Sequence, residues 1–175
     1  MSKFSLQRGY NFFVEATNAT QLGQILTEKR LWIAVAESCT GGLVGHLITN
    51  VPGSSAYFRG GVIAYSNEIK TKILGVTSDS LVKFGAVSEQ TVSEMAEGVR
   101  GAFEADIGLS ISGIAGPDGG TEEKPVGTVW IGVSIGDDGY AMKFHFLGDR
   151  EQIKQQAAEK ALKSVIDLIK NQPGD

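Results

Sequence analysis

The stretch Trp32-Ile-Ala-Val-Ala-Glu37-Ser38-Cys39-Thr40-Gly41-Gly42-Leu-Val-Gly-His-Leu-Ile48 constrains this chain more than any other. Its first five residues, mostly apolar, predict a buried strand; Glu37 to Thr40 predict a tight polar turn. From Gly41 onward the chain reads as a helix, with Leu43, Val44, Leu47 and Ile48 on one apolar stripe. A strand that feeds directly into a helix aims the turn's side chains and the helix's first unpaired N–H groups at one point. Such a point suits an anionic ligand or an oxyanion. Ser38 stands where a nucleophile would be presented. A Ser/Thr turn that merely caps the helix has the same local sequence, and both readings stand at this stage.

The remaining elements follow in order. Residues 1–19 form an N-terminal arm without clear periodicity; its Phe4, Tyr10, Phe12 and Phe13 suggest packing on a partner subunit, so a homo-oligomer is expected. One domain is predicted over residues 20–171. It opens with a short helix at Thr20–Lys29, which carries Leu22, Ile25 and Leu26 on one face. Gly60–Ser66 reads as a second strand, Asn67 as an N-cap, and Glu68–Leu74 as a helix ended by Gly75. Thr77, Ser78 and Asp79 offer caps for another short helix ending before Gly85. Ser88 caps a longer one with Val92, Met95, Ala96, Val99 and Phe103 at helical spacing. Asp106–Ser112 is a strand, and Gly113–Pro125 a long Gly/Pro-rich loop of the kind that often carries function. Strands at Val126–Ile135 and Tyr140–Phe146 are joined through Gly136–Gly139, a hairpin signal. Asp149-Arg-Glu-Gln152 reads as a capping box for a last helix with Ile153, Ala157, Ala161, Leu162, Val165 and Ile169 inward. This order predicts an α/β fold: a three-layer α/β/α sandwich with a mixed, mostly parallel sheet and a late β-hairpin.

Composition removes several functional classes. The net charge is −4 and there is no block of Lys or Arg, which argues against a nucleic-acid partner. No apolar run approaches the roughly 18 residues of a membrane span, and the first residues lack the apolar core of a signal peptide. The single cysteine, Cys39, cannot form an internal disulfide, which fits a reducing compartment. A cytoplasmic protein without a membrane partner is therefore expected. Two histidines and one cysteine are too few for a zinc site, and no His-Glu-x-x-His or Asp-rich calcium loop occurs, so no metal is expected. The spacing Gly113-Ile-Ala-Gly116-Pro-Asp-Gly119-Gly120 fits neither Walker A nor the dinucleotide fingerprint. Its glycines still offer backbone N–H groups to a phosphate.

Serine needs a base, because its free hydroxyl is a poor nucleophile at neutral pH. His46 falls inside a helix and His145 in a strand, so a Ser–His–Asp triad is disfavoured, and Gly-x-Ser-x-Gly is absent. Lys70 begins the helix after the second strand, and Tyr65 ends that strand. Residues at the carboxyl ends of neighbouring parallel strands converge on one edge, so Tyr65 and Lys70 can meet Ser38 there. A lysine acts as base when burial or a nearby cation lowers its pKa; an ordinary solvated lysine is the competing reading. Cys39 is a rival nucleophile without an evident partner, and a buried structural thiol is the plainer account. Arg150, at the start of the last helix, offers a fork to phosphate or carboxylate, or is an ordinary surface charge.

Taken together, these segments resemble the C-terminal domain of the CinA family, the nicotinamide mononucleotide deamidases. The matching pieces are Ala-Glu37-Ser38-Cys-Thr-Gly-Gly, Phe58-Arg-Gly-Gly-Val-Ile-Ala-Tyr65-Ser-Asn-Glu-Ile-Lys70, Gly85-Ala-Val-Ser-Glu89 and Ser112-Gly-Ile-Ala-Gly-Pro-Asp-Gly-Gly. Lys124-Pro-Val-Gly-Thr-Val and Gly148-Asp-Arg150 also fit. The likeness runs from about Leu22 to Lys170, and the chain looks like the stand-alone form. The resemblance implies hydrolysis of the carboxamide of nicotinamide mononucleotide to nicotinate mononucleotide and ammonia, with no cofactor. It implies Ser38 as nucleophile, Lys70 as base with Tyr65 assisting, and an acyl-enzyme. Backbone N–H groups of Thr40, Gly41 and Gly42 would hold the oxyanion. Ser112, where many members have threonine, and Gly113 would line the substrate site, and Arg150 would meet the phosphate. Two other readings remain: a non-catalytic nucleotide-sensing domain, and an amidase for another small amide.

Overall fold

A computed structural model describes residues 17–171. The expected N-terminal arm lies outside the described residues except for its last three positions. The elements are α1 (Asn18–Lys29), β1 (Ile33–Glu37), α2 (Leu43–Thr49), β2 (Phe58–Ile63), α3 (Asn67–Leu74), α4 (Ser78–Phe84), α5 (Glu89–Ala102), β3 (Ile107–Gly113), β4 (Thr128–Ile135), β5 (Asp138–His145) and α6 (Arg150–Asn171). The sheet order is β2-β1-β3-β4-β5. β1 pairs parallel with β2 and β3, while β4 runs antiparallel to β3 and to β5. Four strands therefore point one way and β4 alone opposes them. This is the expected mixed sheet with helices on both sides and a late hairpin.

The two faces of the sheet are built differently. Strand residues alternate between faces. Ile33 and Val35 of β1, Ile107, Leu109 and Ile111 of β3, and Val129, Ile131 and Val133 of β4 pack beneath α1, α2 and α6 in the larger core. Ala34 and Ala36, on the opposite face, join α3 and α5 in a smaller core with Leu74, Met95 and Val99. Small residues let α5 rest almost on the sheet backbone. A methyl group added at Gly108 would collide with Ala96 O, and one at Gly132 would stand 2.5 Å from Val92 O. Ser110 Oγ, buried between them, donates to Val92 O at 2.6 Å.

Local chemistry sets the element ends. Thr77 and Ser88 cap α4 and α5 as expected, each accepting an N–H with its side-chain oxygen. Asp149 and Gln152 form the reciprocal capping box at α6. Several boundaries differ from the sequence reading. α2 begins at Leu43 rather than Gly41, because Gly41 and Gly42 adopt positive φ and complete the turn. β2 lies earlier than expected, at Phe58–Ile63, so Tyr65 falls in the loop after it. Ser66, not Asn67, caps α3. The hairpin turn is Gly136-Asp137 alone, with Asp138 and Gly139 already in β5. No described helix is long and apolar enough to cross a membrane.

Gly98 governs how closely α5 approaches the end of α3, since an added Cβ would collide with Leu74 O. Gly101, one turn on, faces open space. Gly98→Ala is expected to cost about 1–3 kcal/mol through overpacking, whereas Gly101→Ala is expected to gain up to about 1 kcal/mol from helix propensity. Urea unfolding of the two variants reads the difference.

Candidate active site

The site lies at the carboxyl ends of the parallel strands β1, β2 and β3, the edge where ligands bind in open α/β sheets. Strand parity decides what each side chain meets. Glu37 continues the Ile33–Val35 row toward α2, while Ser38 continues the Ala34–Ala36 row toward α3. Ser38 N–H donates to Ile111 O at 2.9 Å, which ties the turn to β3. The Ser38 side chain is 9% exposed at the floor of a cavity of about 220 Å³.

Lys70 reaches Ser38 from α3. It is 1% exposed and heads the largest fully buried side chains of the described residues. Its Nζ donates to Ala64 O at 2.6 Å and to Ser38 Oγ at 3.1 Å. No carboxylate pairs with it among the described residues, where the one ion pair is Lys163–Asp167. Burial without a counter-charge pushes the Lys70 pKa down. The neighbouring Cys39 opposes this only as a thiolate, and burial pushes the Cys39 thiol up to about 12. Cys39 is thus a protonated, buried thiol at neutral pH and no rival nucleophile.

The other expected residues are placed unevenly. Ser112 and Gly113 line the same cavity from β3, with Ser112 Oγ donating to Ala86 O at 2.7 Å. A Cβ at Gly113 would press on Val129 and on Cys39 Sγ, so only glycine keeps β3 against the turn. Tyr65 lines the cavity at 64% exposure. Its hydroxyl accepts from Arg150 Nη2 at 3.1 Å rather than bonding Ser38 or Lys70. Arg150 Nη1 donates to Gly116 O at 2.6 Å, so its fork bridges the glycine loop and Tyr65 instead of standing free. Asn67, released from capping, also lines the cavity.

The turn's N–H groups are not all available as expected. Gly41 N–H donates to Ser38 O, and Gly42 N–H donates to Glu37 Oε2 at 2.9 Å. Glu37 also accepts from Val44 N–H on Oε2 and from Gly45 N–H on Oε1, at 3.1 and 2.8 Å. This carboxylate, 2% exposed, therefore occupies the N-terminus of α2 from inside. An internal carboxylate stands at that helix end, and the Gly41 and Gly42 N–H groups are already engaged within the turn. Among the described residues the Thr40 N–H forms no internal hydrogen bond, and the Cys39 N–H none beyond its own side chain. The sequence reading treated Glu37 as part of a polar turn, although the period-2 row Ile33-Val35-Glu37 carried the signal that it points into the core.

His46 and His145 are remote from this chemistry: His46 bonds Asn50 on α2, and His145 ends β5. Among the described residues no group of three or more His, Cys, Asp or Glu side chains could hold a metal ion.

Comparison with known proteins bears on this geometry. The family model of the CinA C-terminal domain matches residues 15–169. The nicotinamide-nucleotide amidohydrolase PncC of Enterobacter agglomerans is 50% identical over 156 residues, covering 87% of this chain and 94% of that protein. A competence-damage inducible protein of Halothermothrix orenii is 53% identical over 89% of this chain, but the match spans only 38% of that longer relative. Among solved structures, competence damage-inducible protein A of Klebsiella pneumoniae superposes with a TM-score of 0.86 at 30% identity, covering 89% of this chain and 97% of that one. A CinA superfamily protein of Escherichia coli gives 0.83 at 33%, covering 87% and 90%.

Glu37→Gln keeps the shape but replaces the charge with an amide whose NH2 end faces the α2 N–H groups. It is expected to cost about 1.5–3 kcal/mol, the range for hydrogen bonds to a charged group. Denaturant unfolding measures the loss.

Proposed function

The chain belongs to the CinA C-terminal domain family, and from that premise we propose that it hydrolyses the carboxamide of nicotinamide mononucleotide to nicotinate mononucleotide and ammonia. The observation that carries the reading is the Lys70 amine, fully buried, without a counter-ion among the described residues and 3.1 Å from Ser38 Oγ. The similarity to a nicotinamide-nucleotide amidohydrolase across nearly its whole length supports the substrate.

In this mechanism Lys70 is neutral when substrate binds. One N–H donates to Ala64 O, which orients the lone pair toward the serine proton. Ser38 Oγ attacks the carboxamide carbon as its proton passes to Lys70. The tetrahedral oxyanion meets the uncommitted N–H groups of Cys39 and Thr40, a donor of this kind contributing about 3–4 kcal/mol in comparable hydrolases. The C–N bond breaks, Lys70 returns the proton to the leaving nitrogen, and ammonia departs from a Ser38 acyl-enzyme. Water then adds to the acyl carbon with Lys70 again taking a proton, and the C–Oγ bond breaks as that proton restores Ser38. Ser112 and Asn67 line the wall of the cavity that receives the ring. Tyr65, held by Arg150, closes its outer side, an assisting role exerted on substrate position rather than on the proton.

Ammonia release from nicotinamide mononucleotide tests the reading. Ser38→Ala and Lys70→Met are each expected to lower kcat about a thousandfold or more, since members of a nucleophile–base unit fail together. Full activity in Ser38→Ala would refute the mechanism; binding without turnover in the wild type would leave a sensing domain instead. The acid limb of kcat/KM is a second check. Because burial lowers the Lys70 pKa, activity should rise with pH as Lys70 deprotonates, on a limb below the ordinary lysine range. The residual rate of Lys70→Met should lack that limb.

A further inference from the structure

The cavity above Ser38, about 220 Å³, is smaller than the roughly 300–1,000 Å³ of pockets that enclose a whole small ligand. It has room for a pyridine carboxamide but not for a whole mononucleotide. A second cavity of about 550 Å³ adjoins it, with Arg150 in the wall of both. This second space lies between the Thr40–Gly42 turn and the first turns of α6. Its charged or titratable side chains are His46, Arg150, Glu151 and Lys154.

Two observations there are unexplained by the fold. Thr40 is 1% exposed and lines this cavity, yet its Oγ1 has no hydrogen-bond partner. A buried hydroxyl without a partner is costly enough to require a reason. Lys154 is half-buried, and its ammonium forms neither an ion pair nor a hydrogen bond among the described residues. Its Nζ stands 3.8 Å from where a Cβ on Gly41 would lie, so glycine at 41 keeps that approach open. The other anion-binding donors around this cavity are committed. Arg150 is spent on Gly116 O and Tyr65, and the α2 N-terminus is neutralised by Glu37. Arg150 and Lys154 against Glu151 still leave the cavity net positive.

We propose that this second cavity binds the phosphate monoester of the mononucleotide, with Lys154 Nζ as its counter-charge and Thr40 Oγ1 as a hydrogen-bond donor. The assignment rests on the amidase reading above for the identity of the ligand. Thr40 lies two residues beyond Ser38, at most about 7 Å along the chain, so one mononucleotide can reach both cavities. Phosphate recognition thus moves from Arg150, where the sequence placed it, to the residue one turn further along α6.

Steady-state kinetics with nicotinamide mononucleotide, its dephosphorylated riboside and inorganic phosphate as inhibitor test this. Lys154→Gln is expected to raise KM for the mononucleotide about 10–100-fold, the loss of one charge-assisted contact, with a much smaller effect on kcat. Its preference for mononucleotide over riboside and its inhibition by inorganic phosphate should weaken by a similar factor. Thr40→Val should raise KM in the same sense and Thr40→Ser should restore it. Wild-type KM and phosphate inhibition in Lys154→Gln would overturn the subsite and leave the amidase reading standing. No ammonia release from wild type would overturn the amidase reading instead. The phosphate-induced rise in Tm then decides the subsite alone: a rise lost in Lys154→Gln supports it, and equal rises in both proteins defeat it.

Discussion

A primary amine enclosed by protein without a carboxylate is the constraint on which the site depends. Charging such a group in the interior is expensive, and with no anion beside it the cost lowers the amine's pKa. Lys70 obtains that condition from its position. α3 is short, capped by Ser66, and pressed against α5 at Gly98, so the side chain is buried and reaches only the wall of the cavity above Ser38. Ala64 O supplies the one strong contact that fixes Nζ, and Ser38 is the remaining polar neighbour within reach. Placing an acid beside the lysine would create an ion pair and keep it protonated. The nearest buried carboxylate, Glu37, is instead turned through the sheet to the opposite face and consumed by three α2 amides.

That separation is a consequence of period 2. Adjacent residues at the end of β1 face opposite layers, so Glu37 and Ser38, neighbours in sequence, serve different helices. One fixes the turn and the other presents a hydroxyl. Where the strand parity could be read from the alternation of Ile33-Val35 with Ala34-Ala36, both destinations were in principle legible.

How much of the molecule was legible follows the range of the interactions involved. Caps at Thr77, Ser88 and the Asp149–Gln152 box depend on side chains within four residues, and local sequence specifies them. The β1–turn–α2 unit was equally readable, because an apolar run ending in a polar turn and two glycines has few other uses. Boundaries set by tertiary contact were not. β2 starts at Phe58 because it must match Ile33 of β1, a register that Gly60–Ser66 read alone does not contain. Arg150 has a sequence suited to phosphate, but Gly116 O and Tyr65, far away in the chain, claim its guanidinium. Lys154 carried no motif at all. Its distinction is the lack of a partner, and that can be seen only once the fold has assigned partners to the other charges.

The unequal faces of the sheet have a consequence for how this domain can change over generations. Beneath α1, α2 and α6 the core is made of branched aliphatic side chains, which exchange volume with one another when neighbours adjust. Beneath α5, beside the Leu74, Met95 and Val99 side chains, the tightest approaches are backbone to backbone: Gly108 against Ala96 O, Gly132 against Val92 O. A carbonyl cannot retreat without unwinding its helix, so an enlargement there has no neighbour able to compensate. Enlarging substitutions at Gly108 and Gly132 are therefore tolerated less than volume exchanges in the larger core. The layer that holds α3, and with it Lys70, is thus the one whose spacing is fixed by main chain rather than by exchangeable side chains.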